Sequence, residues 1–137
     1  MAFELREHTA DVAVEAWGDT IGDVFASVAD GMAACMYENP PADIGERFDL
    51  EVTAESQEAL LFDYLDRLIF ERDVRDVLPV DNEAEVAGEA EVWTVNASAR
   101  GIPLSEISAR EVKAVTYAEM ALEQTDDGWR AYVVFDV

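Results

Sequence analysis

The sequence predicts an α+β fold: antiparallel β-sheets with two main helices packed on one side. Three observations predict it. Two stretches place apolar residues at helical spacing, one from Ile21 to Met36 and one from Leu60 to about Arg72. A stretch of strand character precedes each, at 12–17 and at 48–54. The remainder reads as a run of strands closed by a hairpin, and segregated strands and helices pack as α+β layers. With 137 residues, 50% of them hydrophobic, the chain can bury a substantial core and is expected to form one domain over residues 1–137. It carries no internal repeat and no low-complexity tract.

Val12-Ala13-Val14-Glu15-Ala16-Trp17 is a short strand punctuated by Gly18. Asp19 or Thr20 can cap the helix that follows, because a side-chain oxygen there accepts from a free amide of the first turn. The apolar positions of that helix are Ile21, Val24, Phe25, Val28, Met32 and Met36. Gly22 and Gly31 each weaken it by roughly 1 kcal/mol against Ala, and Asn39-Pro40-Pro41 ends it. Phe48, Leu50, Val52 and Ala54 alternate with polar residues, as a half-buried strand does. Ser56 caps the second helix, whose apolar face is Leu60, Leu61, Tyr64, Leu65, Leu68 and Ile69. On its wet face Asp63 can pair with Arg67 across one turn.

Pro79 marks a boundary. Over 83–99 the alternation is broken by Val92-Trp93, and Gly88 signals either a hairpin turn or a bulge that shifts the register. Gly101 and Pro103 close that segment, and 104–111 is expected to be an irregular link. Val112–Glu123 and Trp129–Val137 are the strongest strands, with Asp127-Gly128 between them as a two-residue hairpin loop. Such a loop sets Asp136 opposite Glu119 and on one side with Lys113 and Tyr117.

Charge narrows the function. There are 31 acidic residues against 9 basic ones, a net charge of −22, and Lys113 is the only lysine. Such a surface repels phosphates, so direct nucleic-acid binding is not expected. The acids are interleaved with apolar residues along the chain, which is a solvated acidic shell of halophilic style. Cys35 is the only cysteine, so no intrachain disulfide can form; this suits a cytoplasmic protein, and Cys35 reads as a small buried hydrophobe on its helix. No signal peptide is expected, and no apolar run approaches the ~20 residues that span a bilayer.

Few residues stand out as chemistry. No Gly-rich phosphate loop follows a strand, no cysteine pair could hold zinc, and no serine is set near the single histidine, His8. His8 and Asp11 are the first candidates. Imidazole can ligate a metal or carry a proton, and Asp can hold a hard cation; a turn-bonding His with a capping Asp is the plainer reading. The C-terminal Phe135-Asp136-Val137 is the second. An α-carboxylate beside Asp136, together with Asp11, would make an all-oxygen site suited to calcium, magnesium or manganese; a strand ending on a solvated acid is the alternative. Lys113 is the third: an anion or carboxylate contact on one reading, a chance survivor on a sheet face on the other.

Taken together, His8-Thr9-Ala10-Asp11-Val12, Ala16-Trp17-Gly18-Asp19-Thr20, Leu60-Leu61-Phe62-Asp63-Tyr64-Leu65, Glu111-Val112-Lys113-Ala114-Val115-Thr116-Tyr117 and the terminal Phe135-Asp136-Val137 resemble the archease family over essentially the whole chain. The resemblance implies an accessory protein and not a stand-alone enzyme: an activator of the RtcB-type RNA ligase that joins tRNA exon halves. It implies that the protein promotes ligase guanylylation and multiple turnover and broadens the nucleotide used. It places a divalent metal, calcium first and magnesium or manganese after it, on Asp11, Asp136 and Val137, the last through a carboxylate or carbonyl oxygen. It places Lys113 in ligase activation, with His8 beside it in the same assignment. Where many relatives carry His after the Thr-Tyr pair this chain has Ala118. Readings from other classes are a metal-dependent nucleotide hydrolase using Asp11, Asp136 and His8, and a general chaperone for nucleic-acid-processing proteins.

Overall fold

The strands run β1 (Ala2–His8), β2 (Asp11–Gly18), β3 (Glu46–Ala54), β4 (Val77–Glu89), β5 (Val92–Pro103), β6 (Ala114–Thr125) and β7 (Gly128–Asp136). Helix α1 (Ile21–Met36) lies between β2 and β3, and α2 (Gln57–Arg75) between β3 and β4. This computed structural model describes residues 2–8 and 11–137. Every strand pairing is antiparallel, in a four-stranded sheet of order β1-β2-β7-β6 and a three-stranded sheet of order β3-β5-β4. Helix α1 packs on β1, β2, β7 and β4, and α2 on β6, β3, β4 and β5, so each helix ties the two sheets together. This is the α+β arrangement expected.

Alternation decides which side of the larger sheet is dry. The pairs Val12–Phe135, Val14–Val133 and Ala16–Ala131 face the core with Phe25, Val28 and Met32 of α1. The intervening pairs, Asp11–Asp136, Ala13–Val134, Glu15–Tyr132 and Trp17–Arg130, lie on the outer face, because successive residues point to opposite sides. Both helices begin as expected: Thr20 accepts from Asp23 N at 3.1 Å and Ser56 from Ala59 N at 3.1 Å. All six apolar positions of α2 are buried. Cys35 is a buried free thiol, and burial pushes its pKa up to about 11, which removes it as a nucleophile at neutral pH. Gly22, which weakens α1 as a helix, is needed for packing: a Cβ there would collide with the Ala84 carbonyl oxygen of β4.

Several expectations are corrected. A first strand, β1, precedes the one foreseen. Helix α2 continues past Arg72 to Arg75 and ends at Asp76, whose φ is 55°. Arg67 pairs with Glu71 at 2.9 Å and not with Asp63. Pro79 is no boundary; it lies within β4 opposite Gly101. β4 pairs only with β5, so the missing N–H of Pro79 falls on an open edge where no ladder bond is lost. The β4–β5 turn is at Ala90 and Glu91, two residues beyond Gly88, and a register shift between Val80 and Glu83 supplies the bulge.

The last hairpin differs most. Thr125 pairs with Gly128, so the loop is Asp126-Asp127 and Gly128, at φ 149°, already belongs to β7. A second register shift sets residues 117–120 of β6 against Val133 alone, with Glu119 at φ 57°. Asp136 therefore stands opposite Ala114 and not opposite Glu119.

Candidate functional site

The register of the larger sheet brings two of the expected ligands together. Asp11 opens β2 and Asp136 closes β7, and they are direct partners across the ladder. Their neighbours Val12 and Phe135 are buried in the core, which fixes the two aspartates on the outer face. Asp11 is half-buried and Asp136 exposed. His8 stands opposite Asp11 in β1 and Ala114 opposite Asp136 in β6, so one row crosses four strands. Thr9 and Ala10 of the His-Thr-Ala-Asp motif lie outside the described residues.

Lys113 is joined to this row through its main chain: its N–H donates to the Asp136 carbonyl oxygen at 2.8 Å. Its side chain is exposed. Val137 follows Asp136 and packs its side chain against the core. The two carboxylates, with an oxygen of Val137 as the resemblance implies, would make an all-oxygen donor set, whose chemistry suits a hard divalent cation and not a soft metal. Among the described residues no group of three or more His, Cys, Asp or Glu could surround an ion. A cation on this row would take its remaining oxygens from Val137, from solvent or from a partner.

One positioning residue was missed. Arg72 lies in the apolar phase of α2, four residues after Leu68, and only 6% of it is exposed. Its Nη1 donates to the Val112 carbonyl oxygen at 2.7 Å and contacts Met36 Sδ at 3.4 Å. Arg110 N donates to the Met36 carbonyl at 2.8 Å and Arg110 Nε to the Cys35 carbonyl at 3.1 Å. The link that delivers Lys113 is thereby pinned to the C-terminal ends of both helices. An arginine on the dry side of an amphipathic helix was the available signal, because a buried guanidinium needs partners.

Further along the outer face Arg130 donates to Glu15 at 2.7 Å and to Glu123 at 2.9 Å. These bonds raise its pKa, the one from Glu15 most. Glu15 is four residues along β2 from Asp11, roughly 13 Å at strand rise, so Arg130 serves its own network and not the aspartate row. A cavity of about 350 Å³ lined by Trp17, Gly18, Asp19 and Trp129 lies at the opposite end of β2 and β7. Among the described residues no helix is long and apolar enough to cross a membrane.

Comparison with known proteins agrees with this architecture. The profile of the Archease protein family (MTH1598/TM1083) matches residues 3–137. The chain is 32% identical to the protein archease of Methanosarcina acetivorans, over 98% of this chain and 95% of that one. It superposes on the solution structure of Methanobacterium thermoautotrophicum protein 1598 with a TM-score of 0.85 at 29% identity, covering 98% of each chain. The crystal structure from Thermotoga maritima, described as an archease and possible chaperone, shares the fold with a TM-score of 0.61 at 23% identity, covering 96% of this chain and 94% of that one. With a family match over nearly its whole length and the same fold, this chain belongs to the archease family.

Proposed function

We propose that the chain is an accessory protein that activates an RtcB-type tRNA-splicing RNA ligase. It promotes guanylylation of the ligase, sustains multiple turnover and broadens the nucleotide accepted. The observation that carries this reading is the Asp11–Asp136 pair on an exposed sheet end, with Lys113 bonded to it through the main chain. An exposed row can be presented to another protein's active site, whereas a stand-alone enzyme needs a pocket of its own.

In this reading Asp11, Asp136 and an oxygen of Val137 hold a divalent cation, with calcium first and magnesium or manganese after it. When bound, such an ion supplies charge stabilisation to phosphate oxygens. The protein contributes the rest. β2 and β7 fix the two carboxylates, and Arg72 and Arg110 hold the segment that carries Lys113. Lys113 offers a mobile ammonium to an anion or carboxylate of the partner.

Multiple-turnover RNA ligation by the ligase of the same organism, with GTP and manganese in high potassium chloride, tests the proposal. Sub-stoichiometric chain is expected to convert a single-turnover reaction into a catalytic one, and Lys113→Ala to lose most of that gain while remaining folded. Unchanged ligation with both proteins folded overturns it. Turnover of nucleoside triphosphate by the chain alone would replace it with a hydrolase, and equal help to unrelated clients with a general chaperone.

A further inference from the structure

The bulge in β6 has a visible product. Residues 117–120 leave the ladder with β7, and Tyr117 comes to lie on Phe62 of α2, ring centroids 4.1 Å apart and planes 5° from parallel. β6 is an edge strand of the larger sheet, and bulges at edges re-aim side chains. Tyr117 is nonetheless 56% exposed, so the stack buries little of it. On the outward face of the same helix, Phe70 is 56% exposed and Val74 65%. Among the described residues only Leu5 and Val92 are other large hydrophobics so open to solvent.

The charge around the stack is one-sided. Glu55 and Asp63 lie near enough to raise the Tyr117 pKa after burial has done so, and Asp66 and Glu55 act likewise on Asp63. Arg67, the nearest basic residue along the helix, is engaged by Glu71 at 2.9 Å and by the Glu51 carbonyl at 3.5 Å. An open aromatic face set among carboxylates is complementary to a guanidinium, which stacks on a ring and pairs with carboxylates at once.

We propose that the Phe62–Tyr117 stack, with Glu55, Asp63 and Asp66 around it and Phe70 beyond, is a docking surface for a protein partner that presents an arginine from a basic patch. This rests on the reading of the chain as a ligase activator, and the partner meant is that ligase. The surface shares no residue with the aspartate row, although Tyr117 lies three residues along β6 from Ala114 of that row, so binding and activation are probed by different substitutions.

The test is the affinity of the full chain for the purified ligase in molar potassium chloride, by isothermal titration calorimetry, with ligation measured alongside. At that salt the screening length is about 3 Å, so only groups in contact discriminate. Tyr117→Ser and Asp63→Arg are exposed-site changes whose folding circular dichroism verifies. Each is expected to weaken binding about tenfold or more, while Val92→Ser at the β4–β5 hairpin leaves it unchanged. Asp11→Ala is expected to bind and not to activate. If wild type binds and activates but Tyr117→Ser and Asp63→Arg bind within twofold of it, the surface is wrong and the activator reading stands. If wild type neither binds nor activates, both fall. A dimer in sedimentation that Tyr117→Ser dissolves would make the occupant a second copy of the chain and overturn the proposal.

Discussion

Asp11 and Asp136 are direct cross-strand partners, one position beyond the buried Val12–Phe135 pair that anchors the same ladder. The core beneath them fixes their spacing, so an ion that bridges them ties the first residue of β2 to the last of β7. Calcium is therefore expected to raise the unfolding temperature of the wild type, by about 2.7 kcal/mol of stability at a hundredfold excess over Kd. Asp11→Ala should lose that increment. Thermal unfolding in calcium and in chelator reads it directly, and an equal calcium effect in both proteins would remove Asp11 from the site.

Arg72 should matter to activation without touching the partner. Arg72→Met keeps the length of the side chain but leaves the Val112 carbonyl without its 2.7 Å donor. A loss of about 1–3 kcal/mol is expected, as for other buried hydrogen-bonding groups left unmet. Hydrogen exchange over 107–113 should quicken, and ligation should fall although Lys113 is intact. Full activation with unchanged exchange would show that the link needs no such restraint.

Glu71 sets a pH dependence. Burial alone would raise its carboxyl, but the bonds from Arg75 at 2.6 Å and Arg67 at 2.9 Å outweigh it and hold the pKa below the ordinary 4.5. A depressed folded-state pKa means the stabilisation is present above the ordinary value and is lost as pH falls through the folded one. Both arginines are 40–45% exposed, so the pair is worth about 1 kcal/mol and not the larger value of a buried bridge. Urea unfolding of Glu71→Gln should show that deficit at pH 7 and converge with wild type toward pH 3; a constant difference would contradict it.

Tyr64 is fully buried, stacked on Phe25 with centroids 5.8 Å apart, and its hydroxyl meets no protein hydrogen-bond partner among the described residues. Burial, followed by the charge of Asp30, drives its pKa far upward, so it stays neutral. Tyr64→Phe keeps the ring and removes an unmet polar atom. It is expected to stabilise the protein by about 1 kcal/mol, read as a higher urea midpoint with an unchanged slope.

The helices and the terminal strands were legible because their signals are local. Thr20 and Ser56 cap where a hydroxyl precedes an apolar-periodic run, and Leu60 through Ile69 bury the face that their spacing draws. Register was not legible, because it depends on the partner strand. The three extra residues within 117–120 and the shift after Val80 have no signature in their own composition. Pro79 misled for the same reason: whether proline breaks a strand depends on which side is paired. Of the candidate site, the aspartates and Lys113 were named by resemblance and brought together in space by the ladder. Arg72 was overlooked, since a charged residue near a helix end is ordinarily solvated.

The side of β4 away from β5 bears on how this protein can exist at high concentration. β4 is thirteen residues long, with β5 on one side and no strand among the described residues on the other, where α1 meets it through Asp30 and Gly22. Such a sheet edge can template stacking with its own kind. Here Pro79 removes one donor, the bulge at Asp81 and Asn82 interrupts the repeat, and exposed Glu83 and Glu85 set like charges where a second strand would lie. The same features that obscured β4 as a strand guard it against growing into fibrils.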